Sequence, residues 1–432
     1  MRLECVKRLE ELVALRDEWI ALEESTGVDL PFQTWEWAVA WWTHLREDRR
    51  GVRDHLRVCV VRDEHEQVVA IAPMVLTERP SFGPFRVRYL QLMGADPNVT
   101  EVRAILCKPE YKDEVFTVLR SHLAAFAGSW DWVAWEGANA TPGNGPYGDT
   151  STYVLPLASD WPTMKRRLGR NLKESLRHCY NSLRRDGLNA SMDTLEDAAG
   201  IDRALGDFFR LHAERAGRND GPKHPDVFAS QQARDFLREV CRRLAARGMV
   251  RVFRLRIGDR VVAIRVGFQM GQTLYLYYSG WDPAYARYSV MTTLVAEIVR
   301  DAIARGLTAV NLSTGTDVSK TRWGPQEVMY SGRIEVSRSV AARIRYAGFQ
   351  FARSFGSHPA ARALVPDALV RRSEPRQTST TQQRAPTLSS HGMLRLHALT
   401  ATAAAIVALD LLDNTLDHKI ALLPRIFENF RF

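Results

Sequence analysis

A segment written twice restricts the fold of this 432-residue chain more than any other feature. Residues 57–71 read Arg-Val-Cys-Val-Val-Arg-Asp-Glu-His-Glu-Gln-Val-Val-Ala-Ile, and residues 251–264 read Arg-Val-Phe-Arg-Leu-Arg-Ile-Gly-Asp-Arg-Val-Val-Ala-Ile. Each is an apolar run, a short polar turn and a second apolar run closing on Val-Val-Ala-Ile, which is a β-hairpin pattern. Copies this far apart point to a duplicated domain and not to a solenoid. Two unrelated hairpins would also match by chance, but each copy follows helical sequence, which chance leaves unexplained. The length suits two domains.

Composition narrows the class. Apolar residues make up 45% of the chain and charged residues 25%, an ordinary globular balance that buries a core without staples. The five cysteines (Cys5, Cys59, Cys107, Cys179, Cys241) are dispersed, with no C-x-x-C pair and no zinc spacing, so no metal is expected. Scattered free thiols suit a reducing compartment, and a cytoplasmic location is the expectation. The first residues are charged throughout and lack the apolar core of a signal peptide. The most apolar stretch, Ala398–Leu409 between His397 and Asp410, is too short to span a bilayer and is expected as a packed C-terminal helix. A net charge of +9 suits coenzyme A, nucleic acid or a membrane surface, or a solvated arginine-rich surface.

Periodicity orders the elements. Leu9, Leu12, Leu15, Trp19 and Leu22 predict a helix over residues 4–24, and Thr34 is placed to cap a second helix running through Trp42. Strands are expected at 56–61, 67–72, 88–93, 101–106 and 130–135, with a helix over 110–126. The Gly-, Asn- and Pro-rich residues 137–150 form a boundary loop. A basic helix over 161–186 opens the second half, followed by helices at 201–215 and 231–247, the latter ended by Gly248. Strands at 250–257, 261–270 and 273–278, a helix over 289–304 and a strand at 309–313 complete it. A strand, helix and strand in succession call for a parallel crossover, so the class is mixed α/β. Residues 371–391 lack large apolar side chains and are expected to be a disordered linker ahead of short helices.

Two stretches carry chemistry. From Leu274 to Leu294 a tyrosine-rich strand reaches Tyr278, turns through Gly280 and Asp282-Pro283, and enters a helix near Ser289. The start of such a helix offers free N–H groups and a positive dipole end to a pyrophosphate, with Ser289 as cap and Arg287 as added charge. An ordinary strand–turn–helix with surface tyrosines fits equally. From Asn311 to Pro325 a strand runs into a loop holding Asp317, Lys320, Arg322 and Trp323. Cations there suit phosphate or carboxylate and the indole suits a flat group, although a salt-bridged loop around one buried Trp has the same composition. No G-x-S-x-G elbow is present, which disfavours covalent transfer through serine.

Five motifs in order resemble one family: Phe32-Gln-Thr-Trp-Glu-Trp with Trp41-Trp42, Arg170-Asn171-Leu172, His212 with Arg215, Asp282-Pro-Ala-Tyr-Ala-Arg-Tyr-Ser289, and Lys320-Thr-Arg-Trp323. Together, over residues 5–340, they look like the CelD-type, FemAB-related acyltransferases of the GNAT superfamily. The resemblance implies tandem GNAT-like domains: a degenerate one at 1–150, an acyltransferase domain at 151–340 and an extension at 341–432. It also implies acetyl-CoA or another acyl-CoA as donor, and a small-molecule, saccharide or peptide amine as acceptor, in polysaccharide or envelope biosynthesis. Metal and DNA have no part in it, and a transmembrane segment is not expected. Asp282 or Asp317 would act as base, with His212 as an alternative, and Tyr278 as acid. Arg287, Tyr288 and Ser289 would hold the donor, with Lys320, Arg322 and Trp323 on phosphate or acceptor. Two departures stand out. Val290-Met291 replace the Pro-Gly that similar proteins carry after the serine, and Asn311 replaces an Asp. The alternatives are a FemAB-like transferase using aminoacyl-tRNA, with the basic helix tracking RNA phosphates, and a catalytically degenerate scaffold that binds a partner.

Overall fold

The computed structural model describes residues 1–357 apart from 82–85, 96–98, 127, 136–149 and 218–224. The linker and terminal helices expected beyond 370, and nearly all of the boundary loop, lie outside the described residues. Met1–Arg79 with Arg88–Ser337 form one compact unit, and Pro80–Val87 with the residues from Arg338 form another, which holds a helix at Val340–Ser357.

The first half runs β1 (Arg2–Val6), α1 (Leu9–Ala14), α2 (Arg16–Thr26), α3 (Trp35–His44), β2 (Asp48–Arg49), β3 (Val52–Arg62), β4 (Val68–Pro80), β5 (Arg86–Leu92), β6 (Leu106–Cys107), α4 (Lys112–Ala125) and β7 (Trp132–Trp135). The second runs β8 (Thr150–Pro156), α5 (Trp161–Arg167), α6 (Arg170–Arg185), β9 (Ala190–Leu195), α7 (Ala198–Ala216), α8 (Gln231–Ala245), β10 (Val250–Ile257), β11 (Arg260–Met270) and β12 (Thr273–Trp281). It ends with α9 (Val290–Ala304), β13 (Ala309–Thr314), α10 (Val318–Thr321), β14 (Gln326–Tyr330) and β15 (Arg333–Val336). One sheet has the order β1–β3–β4–β5–β7–β15, and the other β14–β8–β13–β12–β11–β10–β9.

The two copies of the repeated segment are both antiparallel hairpins, β3–β4 and β10–β11. They share an irregularity as well as a sequence. Register slips by one residue between Val61 and Arg62 in the first and between Leu255 and Arg256 in the second. In each case the extra residue is the second Val of Val-Val-Ala-Ile, Val69 or Val262. A bulge kept at one position in both halves is a designed feature of a strand pair and is strong support for duplication. Each half then adds a parallel pair across a helix, β5 with β7 and β12 with β13.

The halves share a core. Trp37 of α3 packs edge-on against Phe236 of α8 at 5.2 Å, Tyr277 of β12 at 5.8 Å and Phe268 of β11 at 6.1 Å. Burial of such large rings adds substantially to the apolar stabilisation here. The last strand crosses back, since β15 pairs with β7 in the first sheet.

Three expectations need correction. Residues 2–6 form an edge strand on β3, with Cys5 opposite Cys59, and helix begins only at Leu9, because pairing with β3 and not helical period governs those residues. Of the expected 101–106 strand only Leu106 is paired, in β6, so Glu101 lies in irregular chain. The basic helix breaks at Leu168-Gly169, where Leu168 turns to extended backbone and Gly169 starts α6. Thr34 does cap α3, its hydroxyl accepting from Trp37 N–H at 3.3 Å.

Candidate active site

The site forms where β12 leaves β13. The parallel pair is joined at Thr273–Ala309, Leu274–Val310 and Tyr275–Asn311, yet β12 continues to Trp281 and β13 to Thr314. A bulge explains the parting. Arg265 stands opposite Ser279 and Gly267 opposite Leu276, so β12 carries one extra residue at Tyr277–Tyr278 and bends. Helix α7 lies against the bent strand at Gly280, where a Cβ would come within 2.5 Å of the His212 backbone nitrogen and 2.6 Å of the Leu211 carbonyl carbon. No side chain fits there, so glycine sets how closely α7 approaches.

A buried carboxylate spans the parted strands. Glu101, from the first half, accepts hydrogen bonds from Tyr275 Oη of β12 at 2.7 Å and from Ser313 Oγ of β13 at 2.7 Å. Burial pushes its carboxyl above the ordinary range, against the hydroxyl donors and the charges of Lys320 and Arg265. Ser313 has a φ of 74°, a costly conformation for a non-glycine residue, and its N–H is held by Asn311 Oδ1 at 2.9 Å. Strain of this kind is retained where surrounding contacts fix it, and it turns the Ser313 hydroxyl toward Glu101.

Around this carboxylate stand three cations. Burial lowers the pKa of Lys320, whose ammonium donates to the Thr314 carbonyl and lies 3.4 Å from Asp317 Oδ2. Arg265 is shifted down to about 10 by burial and donates to the Leu276 carbonyl at 3.2 Å. Arg215 of α7, also lowered by burial, donates to Ser279 Oγ at 3.1 Å. Asp317 starts α10 by accepting from Ser319 N–H; burial raises its pKa, but Ser319 and Lys320 outweigh that and hold it below the ordinary value.

The residues singled out from sequence divide into four groups. Tyr278 sits at the bulge, its ring edge-on to His212 at 5.6 Å and to Phe228 at 5.5 Å. His212 is buried and lowered in pKa by burial; its Nδ1 bonds the Ser279 carbonyl at 3.0 Å, which fixes the proton on Nδ1. Asp317 and Lys320 join the cluster around Glu101. Arg322 stands at the start of α9, donating to Thr292 Oγ1 at 2.6 Å.

The others serve the frame. Asp282 is buried; its Oδ1 accepts from Ala284 N–H at 2.9 Å, and its Oδ2 lies 2.6 Å from the exposed Arg260 of β11 but makes no hydrogen bond among the described residues. Arg287 lies 3.3 Å from Asp186 at the end of α6, and Tyr288 donates to the same carboxylate at 2.8 Å. Ser289 precedes α9 but makes no side-chain cap, because its φ of 51° turns the hydroxyl aside. Trp323 is 3% exposed inside the second core, with no ring face left for a ligand.

Glu101, Tyr275, Arg265 and Ser313 are absent from the sequence expectations. Arg265 had a signal: it follows Val-Val-Ala-Ile in the second copy, where the first copy has Ala72. A cation in an otherwise apolar strand is a departure that calls for a partner. Among the described residues no group of three or more His, Cys, Asp or Glu is placed to hold a metal.

The sequence model of the acetyltransferase (GNAT) domain matches residues 170–321, from α6 to α10. Solved structures similar to the chain include FemX, at 10% identity and TM-score 0.49 over 78% of this chain and 97% of that one. A tandem GNAT protein from the clavulanic acid biosynthesis pathway is 12% identical, with TM-score 0.40 over 78% and 99%. N-myristoyltransferase of Saccharomyces cerevisiae with bound myristoyl-CoA is 12% identical, with TM-score 0.35 over 77% and 78%. No curated protein matches the sequence.

Proposed function

We propose that this chain, whose residues 170–321 match the acetyltransferase (GNAT) domain model, is an acyltransferase that moves an acyl group from acyl-CoA to an amine. The observation that carries the donor is the parting of β12 from β13 inside the matched domain. Strands that separate leave a gap that an extended pantetheine arm with two amides can enter, and here the Leu276, Ser279 and Thr314 carbonyls along it already accept from Arg265, His212 and Lys320. Beyond the gap, α9 begins; the first N–H groups of any helix lack intrahelical acceptors, and those of Val290 and Met291 suit the pyrophosphate. Arg322 at Thr292 supports the same end. Without a glycine after Ser289 the phosphates lie farther from the backbone, so the side-chain cation carries more of the binding.

Tyr278, at the bulge beside the gap, is the acid proposed for the leaving thiolate. The acceptor is a small-molecule, saccharide or peptide amine in envelope or polysaccharide synthesis, and the setting is cytoplasmic; no described helix is long and apolar enough to cross a membrane. A second reading has one observation in its favour: Arg166 and Arg167 of α5 and Arg177 and Arg184 of α6 are exposed, a surface that suits the phosphates of an aminoacyl-tRNA donor.

A thermal-shift panel of acyl-CoAs tests the donor. Stabilisation of the protein by at least one acyl-CoA, growing with concentration as linkage requires, is the expected outcome. Silence across the panel with a shift on aminoacyl-tRNA would replace this reading with the second.

A further inference from the structure

The charges around the gap do not cancel pairwise. Arg215, Arg265 and Lys320 interact with Glu101 and Asp317, and within that set Lys320 pairs directly with Asp317 at 3.4 Å. Among the described residues Glu101 accepts from two hydroxyl groups and has no direct ion pair, with Lys320 and Arg265 acting on it as nearby charges. Arg265 makes one hydrogen bond, to the Leu276 carbonyl; its Nε is buried without a hydrogen-bond partner, and among the described residues it has no ion pair. A guanidinium has five N–H donors, and Arg265 spends one of them on the protein while Glu101 and Asp317 act on it as nearby charges without pairing directly. A carboxylate with room for a cation and a guanidinium with room for an anion therefore share one partly buried neighbourhood.

Building on the acyltransferase reading above, we infer that Glu101 and Arg265 form the acceptor subsite, and that the acceptor is an amine carrying a carboxylate. The acceptor ammonium sits at Glu101 and its acid group at the Arg265 guanidinium, whose planar fork matches a carboxylate. Glu101 takes one proton from the ammonium. The freed amine attacks the thioester carbonyl, the C–N bond forms and the C–S bond breaks. The second nitrogen proton leaves with the thiolate as a thiol, and Glu101 returns the first to solvent. A carboxyl raised by burial stays basic enough for that transfer, with Tyr275, Ser313, Lys320 and Arg265 as the groups facing it and Asp317 and Arg215 beyond.

Matched pairs test it on the unaltered protein. Amino acids of several chain lengths, among them glycine, β-alanine, glutamate and lysine, are compared with their carboxamides by thermal shift and by coenzyme A release from acetyl-CoA. The acid members are expected to act at concentrations at least tenfold lower than their amides. Equal responses, or no response to any acid, would overturn the proposal. Glu101→Gln is expected to lower turnover about a hundredfold or more while the acyl-CoA shift stays, and to remove the acid limb of the kcat/KM profile. Arg265→Lys is expected to erase the preference for acids; if it weakens the acyl-CoA shift instead, Arg265 serves the donor and the proposal fails. An acyl-CoA shift without acid preference would sink this inference alone, and acid preference without an acyl-CoA shift would sink the donor alone.

Discussion

Glu101 shows what a single residue costs and gives here. Its carboxyl is raised by burial, so the folded state binds its proton more tightly than the unfolded chain does. Between the ordinary carboxylate value and the raised one the folded protein holds more protons, and stability falls as pH rises through that window. Glu101→Gln removes this slope, because an amide does not titrate and its NH2 and C=O can still meet the Ser313 and Tyr275 hydroxyls. The difference in Tm between variant and parent should therefore grow in the variant's favour as pH rises above the ordinary carboxylate value of about 4. A difference that stays flat with pH would show that Glu101 is not held in a desolvated state. None of this was legible in the chain order: Glu101 opens an apolar run that reads as strand, and its partners are more than a hundred residues away.

At the scale of elements, the bulge in β12 and the approach of α7 are coupled at Gly280. A Cβ there meets main-chain atoms of Leu211 and His212, which no rotamer change can relieve. Gly280→Ala is expected to cost about 1–3 kcal/mol in urea unfolding, as overpacking of a tight contact does. Its tolerance without loss would mean that α7 stands farther from β12 than described. Elements with strong period were legible: both hairpins, α7, α8 and α9 follow from alternating or helical apolar spacing. Those missed were short or polar. β1 was taken into the first helix, and β14 buries only Tyr330, so neither carries a pattern. The loop after β13 was placed correctly by its composition, but which of its side chains turn inward depends on the positive φ of Ser313 and Gly315, which sequence does not announce at a serine.

For the whole molecule, duplication was visible in sequence, whereas the fusion of the two copies was not. Arg247 at the end of α8 donates to Glu23 of α2 at 2.8 Å and to Glu36 of α3 at 3.0 Å, and both carboxylates are buried. Arg247→Ala would leave two buried acids without their cation. The expected loss is about 3–5 kcal/mol in chemical denaturation, with one cooperative transition in the parent because the halves share a core. A loss under 1 kcal/mol would show that the first half contributes little to holding the second. The catalytic carboxylate proposed here comes from the first half, so that half serves the site as well as the core.

Hydrogen exchange of the main-chain amides with and without acetyl-CoA tests most directly whether the parted strands hold the donor. Protection confined to residues 276–281, 290–293 and 312–315 is the expected result. A donor that instead protects the cavity lined by Tyr180, Met192 and Leu255, or protects nothing, would contradict the assignment of the site.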